Sequence, residues 1–262
     1  MKITLDITKT PEQNSAVYYE KAKKAKRKLE GVEKALEQSR KKMQELLQKK
    51  DSEERKAEVA AKEREKRKDR KWFEKFRWFV SSEGVLVVGG RDATTNEIII
   101  KKHTETGDLV FHTDMAGSPF FVVKTEGKKP GDETILEASI ATASFSRAWR
   151  LGLSVLEVFH VNPDQVSKTA KSGEYMGKGA FMIYGKTSYI TAELKLAIGV
   201  DSEGRVMCGP PAAVKKNCGK CAEVMQGRDK TSDTAKKIKR AISGELDDII
   251  AALPSGGCRI KS

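Results

Sequence analysis

From Gln13 to Lys71 the chain has no proline and a single glycine, Gly31, while Ala, Leu, Glu, Lys, Gln and Arg dominate. These residues lose least on entering a helix, so the stretch predicts a long helix. Its apolar positions say how such a helix packs. Tyr18, Ala22, Ala25, Leu29, Val32, Leu36, Ser39, Met43 and Leu46 follow one another at alternating steps of four and three residues, which is a heptad seam. A seam this narrow does not coat a globular core, but it suits knobs-into-holes pairing with another helix. Asp51 and Glu54, after Gln48-Lys49-Lys50, have the spacing of a capping box. They predict a turn near residues 49–52 and a return helix from about Glu53 to Lys71. The seam of that return helix, Ala57, Ala61 and Arg64, is poor in large apolar residues. The alternative is one unbroken helix that dimerises or pairs with another segment. As a helix, residues 12–49 alone would extend roughly 57 Å.

Charge concentrates in the same region. Of 262 residues, 50 are Lys or Arg and 37 Asp or Glu, a net +13. Residues 1–71 hold 23 of these cations against 14 carboxylates, or +9. Two runs, Lys21–Lys28 and Lys62–Lys71, make Lys24, Lys26, Arg27, Lys28, Arg67 and Lys68 candidate phosphate contacts, the structural alternative being a solvated face with intrahelical ion pairs. No apolar run approaches the roughly 18 residues of a membrane span, and the N-terminus lacks the hydrophobic block of a signal peptide. The expectation is a cytoplasmic protein with no membrane partner. All four cysteines follow residue 200, too few and too clustered for a disulfide framework.

At Trp72 the composition changes. Trp72-Phe-Glu-Lys-Phe-Arg-Trp-Phe79 packs five aromatics into eight residues, which reads as the anchor of the helix on a globular core. Short β-type runs follow at Phe79–Ser82, Val85–Gly89, Asp108–Thr113, Phe120–Lys124, Leu156–Val161, Ala180–Tyr184, Glu193–Ile198 and Gly204–Cys208, with helices at Asp92–His103, Glu133–Arg150, Ser232–Ala241 and Glu245–Leu253. The fold class is therefore α+β: a basic coiled-coil arm over residues 1–76, a mixed α/β domain over 77–200, and a C-terminal α/β extension over 201–262 packed on it.

Three segments carry chemistry. Gln165 to Gly185 is a polar loop punctuated by glycine, in which Lys168, Thr169, Lys171 and Lys178 have the charge and hydroxyl content to hold phosphate; its glycine spacing is not that of a P-loop. Gly89-Gly-Arg-Asp-Ala93 puts Arg91 and Asp92 at a strand-to-helix turn, where aspartate caps and arginine reaches a ligand. His112 and Asp114 alternate along a strand and so share a face; with Asp92 they could line the pocket of a nucleotide- or RNA-modifying enzyme, although no third group completes a catalytic set. Arg147 and Trp149 could contact and stack on a base, the alternative for Trp149 being burial at a helix end. No cofactor is expected. Zinc on Cys208, Cys218, Cys221 and Cys258 would require outer spacings of 10 and 37 residues, unlike a standard double knuckle.

With those residues in view, the chain resembles the C-terminal half of the NFACT family, which includes the tailing subunit of ribosome-associated quality control and bacterial relatives once labelled fibronectin-binding; the resemblance is to the archaeal type. It is carried by Asn14-Ser-Ala-Val-Tyr-Tyr-Glu-Lys-Ala-Lys-Lys-Ala-Lys, by the Trp72–Phe79 run, by Gly89-Gly-Arg-Asp-Ala-Thr-Thr-Asn-Glu, by Phe111-His-Thr-Asp-Met-Ala-Gly-Ser-Pro and by Gln165–Ile183. It implies a coiled coil followed by an RNA-binding NFACT-R domain, with the large ribosomal subunit, rRNA and tRNA as partners. The N-terminal family modules, or a second coiled-coil chain, are further implied partners. Tailing activity leans on modules that this sequence does not contain, so it is not implied. On this reading the protein is a non-enzymatic RNA binder.

Overall fold

The computed structural model describes residues 3–68, 70–169 and 177–261, the side chains of residues 49 and 51–68 excepted. It divides into two compact units, Met1–Arg70 and Lys71–Ser262.

The first unit is one helix, α1 (Pro11–Lys68), preceded by a short segment that turns at Asp6–Lys9, where the Lys9 amide donates to the Asp6 carbonyl. The turn expected near residues 49–52 is absent and the helix runs through it. Nothing in Lys49-Lys50-Asp51-Ser52 forbids helical dihedrals, and a return helix with only Ala57 and Ala61 on its seam has little apolar surface with which to stabilise a turn. At about 1.5 Å per residue the 58 residues extend about 87 Å. Asn14 ties the entry: its side-chain oxygen accepts from the Asp6 amide at 2.9 Å and its amide donates to the carbonyls of Asp6, Lys9 and Thr10. Along the seam Leu29, Val32, Leu36, Met43 and Leu46 are exposed.

The second unit begins at Lys71, so the aromatic run belongs to it and not to an arm ending at residue 76. A 3-10 turn, Trp72–Lys75, leads into β1 (Arg77–Val80), β2 (Leu86–Gly89), α2 (Ala93–Lys102), β3 (Leu109–His112), β4 (Phe121–Val123), α3 (Asp132–Ser144), α4 (Arg147–Leu151) and β5 (Val155–Val161). Then come β6 (Val166–Ser167), β7 (Met182–Ile183), β8 (Ser188–Glu193), β9 (Leu196–Asp201), β10 (Val206–Gly209), α5 (Pro211–Asn217), β11 (Cys218–Gln226), α6 (Thr231–Ile242), α7 (Leu246–Ala252) and β12 (Cys258–Ile260). An antiparallel six-stranded sheet runs β1-β2-β4-β3-β5-β8, a four-stranded one β10-β9-β11-β12, and β6 pairs β7.

The amphipathic segment expected as one helix over Glu133–Arg150 is two. Phe145 ends α3, and Ser146 caps α4, its hydroxyl accepting from the Ala148 amide at 3.1 Å. The strand expected over Glu193–Ile198 breaks at Leu194-Lys195, where the chain passes from the first sheet to the second. The sheets share one apolar cluster: Phe79 of β1 packs so closely on Gly209 of β10 that a Cβ there would lie 2.8 Å from its ring. The 201–262 region thus contributes to the same apolar core as the first sheet.

Candidate nucleic-acid interface

Three of the sequence motifs meet in the second unit around one cleft of about 520 Å³. The Gly90–Ala93 turn opens α2, the Ala116–Phe120 segment links β3 to β4, and the Lys178–Phe181 turn precedes β7; Arg77, Phe145 and Ser255 complete the wall. Two glycines make the approach possible. A Cβ on Gly90 would strike the Asn96 side chain, and Gly179, at φ +78°, lies against the Ala93 backbone, where a Cβ would come within 2.6 Å. The glycine–lysine–glycine sequence at 177–179 thus clamps its turn onto the first turn of α2.

The candidate residues take different parts. Asp92 caps α2, accepting from the Thr95 amide at 2.8 Å; that bond, foremost among the groups donating to it, holds its carboxyl below the usual range. Arg91 lines the cleft, but its Nη2 also donates to the carbonyls of Phe76 and Glu74, at 2.9 and 3.4 Å, and so braces the aromatic run. Lys168 does not reach outward as expected. Its ammonium donates to the carbonyls of Gly177 and Ala180, both at 3.0 Å, lies 3.3 Å from Glu97 and sits over the Phe181 ring. It holds the turn from which exposed Lys178 projects at the cleft. The Thr169 carbonyl accepts from Tyr184, 3.1 Å away. Lys171 lies outside the described residues.

His112 lies in the cleft wall, stacked on Phe120 at 3.9 Å, and its Nδ1 donates to the Pro119 carbonyl at 3.0 Å. Burial lowers its pKa and keeps the ring neutral. Asp114 is exposed and accepts from the Tyr189 hydroxyl at 3.3 Å. Asp92, His112 and Asp114 are thus each held by different partners and form no hydrogen-bonded acid–base set. Trp149 is corrected outright: it is 1% exposed, its indole N–H donates to the Gly257 carbonyl at 3.2 Å, and it is core with no face for a base. Arg147 is exposed on α4, outside the cleft lining. The four cysteines sit on β10, β11 and β12; burial pushes the thiols of Cys208 and Cys218 up to about 12, and among the described residues no three His, Cys, Asp or Glu side chains gather for a metal.

On α1, Lys24, Lys26, Arg27 and Lys28 are exposed, and none of them is in an ion pair among the described residues. At about 100° per residue all four fall off the Tyr18–Leu46 seam, so a helix paired through the seam still presents them. The side chains of Arg67 and Lys68 lie outside the described set. Among the described residues no helix is long and apolar enough to cross a membrane.

Sequence reasoning missed Arg77. It sits in the Trp72–Phe79 run, where five aromatics drew the attention, and only the sheet shows that it faces the cleft.

Residues 75–185, the part that builds most of the cleft, match the NFACT protein RNA binding domain. The chain is a member of the NFACT family. Over 201 residues it is 42% identical to the archaeal Rqc2 homolog aRqcH of Methanocaldococcus jannaschii, covering 74% of this chain and 30% of that protein. It is 38% identical over 184 residues to ribosome quality control complex subunit NEMF of Mus musculus, covering 68% of this chain and 16% of that one. The NEMF homolog of Drosophila melanogaster is 42% identical over 120 residues, 45% of this chain and 12% of its own. This NFACT chain thus spans less than a third of the length of these relatives.

Proposed function

We propose that this chain binds RNA and ribosomes in ribosome-associated quality control, acting at the large subunit and on tRNA through two cationic elements. The exposed lysines and arginines of α1 hold phosphates without reading sequence, and the cleft of the NFACT-R unit supplies a second contact through Lys178 and Arg91. The observation that carries this reading is the meeting of the Gly90–Asn96, Ala116–Phe120 and Lys178–Phe181 stretches on one cationic cleft within the part of the chain that matches an RNA-binding family. Relatives whose names place them in ribosome quality control support the cellular setting.

Binding of this kind is driven by counterion release, so log affinity falls linearly with log salt, with a slope of about −0.7 per phosphate contact on single strands. The test is anisotropy of labelled RNA together with co-sedimentation with large subunits over a salt series. A slope worth several contacts is expected, with little preference among sequences. Without residues 1–70, ribosome association should vanish while RNA binding partly survives. Salt-independent binding, or none to either partner, refutes the reading.

A further inference from the structure

Arg77 opens β1 with its guanidinium in the wall of the cleft and not at its rim. It stacks over Phe145 at 4.3 Å, and Nη1 donates to the Leu253 carbonyl at 3.2 Å. No carboxylate pairs with it among the described residues. Burial is strong enough to lower its pKa to about 10, and the neighbouring Arg91 adds to the shift. A guanidinium has five donors, and a cation taken out of water is ordinarily neutralised by a partner. Among the described residues the lining holds one carboxylate, Asp92, which caps α2 and feels the Lys178 charge, while Arg91 adds positive charge beside Arg77. Phe120, Phe145 and Phe181 also line the cleft; Phe120 and Phe145 are core residues, covered by His112 and by Arg77, while Phe181 is half-buried. The volume falls within the range of about 300–1,000 Å³ usual for small-ligand sites. A buried guanidinium without a carboxylate partner, with the Lys178 ammonium lining the same cleft, suits an anionic ligand.

We propose that the cleft seats one nucleoside monophosphate unit, its phosphate on the Arg77 guanidinium and the Lys178 ammonium and its base against the half-buried Phe181 ring. The unit arrives either as an unpaired residue of RNA or as a free nucleotide; only the first route rests on the RNA-binding function proposed above. The competing account makes Arg77 a clamp that ties β1 to the end of α7 through Leu253, with no ligand.

Calorimetric titration of the full chain with uridine 5′-monophosphate and with uridine separates these accounts. The monophosphate should bind at least about ten-fold more tightly than the nucleoside, because charge-assisted hydrogen bonds to the phosphate are lost with it. Arg77→Met should reduce monophosphate affinity about ten-fold or more, and Arg77→Lys, which keeps the charge and loses the fork, should recover part of it. Lys178→Met, on an exposed turn where folding is not at stake, should weaken the monophosphate and leave uridine unchanged. Equal affinity for the two ligands, no binding of either, or an Arg77→Met protein that melts lower yet retains monophosphate affinity overturns the proposal. A short single-stranded RNA titrated in parallel assigns the source. Weakening of RNA as well as monophosphate by Arg77→Met places the nucleotide in RNA, and loss of the monophosphate alone makes the cleft a free-nucleotide site. Salt-sensitive RNA and ribosome binding that persists while the monophosphate fails to bind removes this inference and leaves the function standing.

Discussion

Replacing Lys168 by methionine tests the reassignment of that lysine from ligand contact to support. Its ammonium makes two hydrogen bonds to backbone carbonyls, of Gly177 and Ala180, and lies 5.0 Å from the centroid of Phe181. Hydrogen bonds from a charged donor contribute about 1.5–3 kcal/mol when shielded, and a cation over an exposed ring about 0.5–1 kcal/mol. The Lys168 side chain is 32% exposed, so water replaces part of this, and methionine keeps most of the packing on Phe181. The net cost is then about 1–2 kcal/mol. A unit of this size shifts its midpoint by about 3 °C per kcal/mol, which predicts a fall of about 3–6 °C in thermal melting followed by circular dichroism. RNA affinity should drop only modestly, through loosening of the Gly177–Phe181 turn that presents Lys178, and the salt slope should not change. An unaltered melting temperature combined with a slope reduced by a full phosphate contact would mean that Lys168 leaves its carbonyls to meet phosphate, and the reasoning would fail.

Lys124 and Asp108 form a nearly buried pair, 9% and 2% exposed, at 2.5 Å, and Asp108 also accepts from the amides of Glu105 and Thr125. Lys124→Met strands that carboxylate and should cost about 3–5 kcal/mol by denaturant titration; a loss below about 1 kcal/mol would contradict the burial. Trp149→Ala should cost about 3–5 kcal/mol while RNA affinity, measured below the melting transition, stays at the wild-type value; selective loss of RNA binding would restore Trp149 to the interface. Burial lowers the pKa of His112 in the fold, so between its folded value and the unfolded 6.5 the unfolded chain binds more protons. The stability this neutral ring supports is therefore complete above pH 6.5 and is lost as pH falls below it. His112→Asn, whose amide can donate to the same Pro119 carbonyl, should flatten the decline in melting temperature between pH 7.5 and 5.5 (about one decade either side of the ordinary histidine value); an unchanged profile would locate the titration elsewhere.

What the sequence made legible follows the range of the interactions involved. The α2 start was readable because the Asp92 cap and Thr95 are three residues apart, and α1 because helix propensity and a 3.5-residue seam are local properties. β11 was not: a register shift between Cys218 and Lys220 interrupts the alternation that would have marked a strand, and the two cysteines drew a metal-site reading instead. β8 is an edge strand with only Ala192 fully buried, so it carries almost no apolar period. The site divides the same way. The motif segments around the cleft could be named in advance, but Lys168 and Lys178 stand ten residues apart in one polar loop with nothing in their own chemistry to tell them apart. What separates them is that the carbonyls of Gly177 and Ala180 turn toward one ammonium, a consequence of Gly179 resting on Ala93 across a gap of 86 positions in the chain. Arg77 shows the converse. Its neighbours in sequence are core aromatics, and its role depends on Phe145 and Leu253, which only the folded sheet brings beside it. A basic residue becomes a ligand contact when the fold leaves its donors without a local acceptor, and that condition is set by residues distant in the chain; charge counting alone therefore locates the cationic region and cannot select the cation.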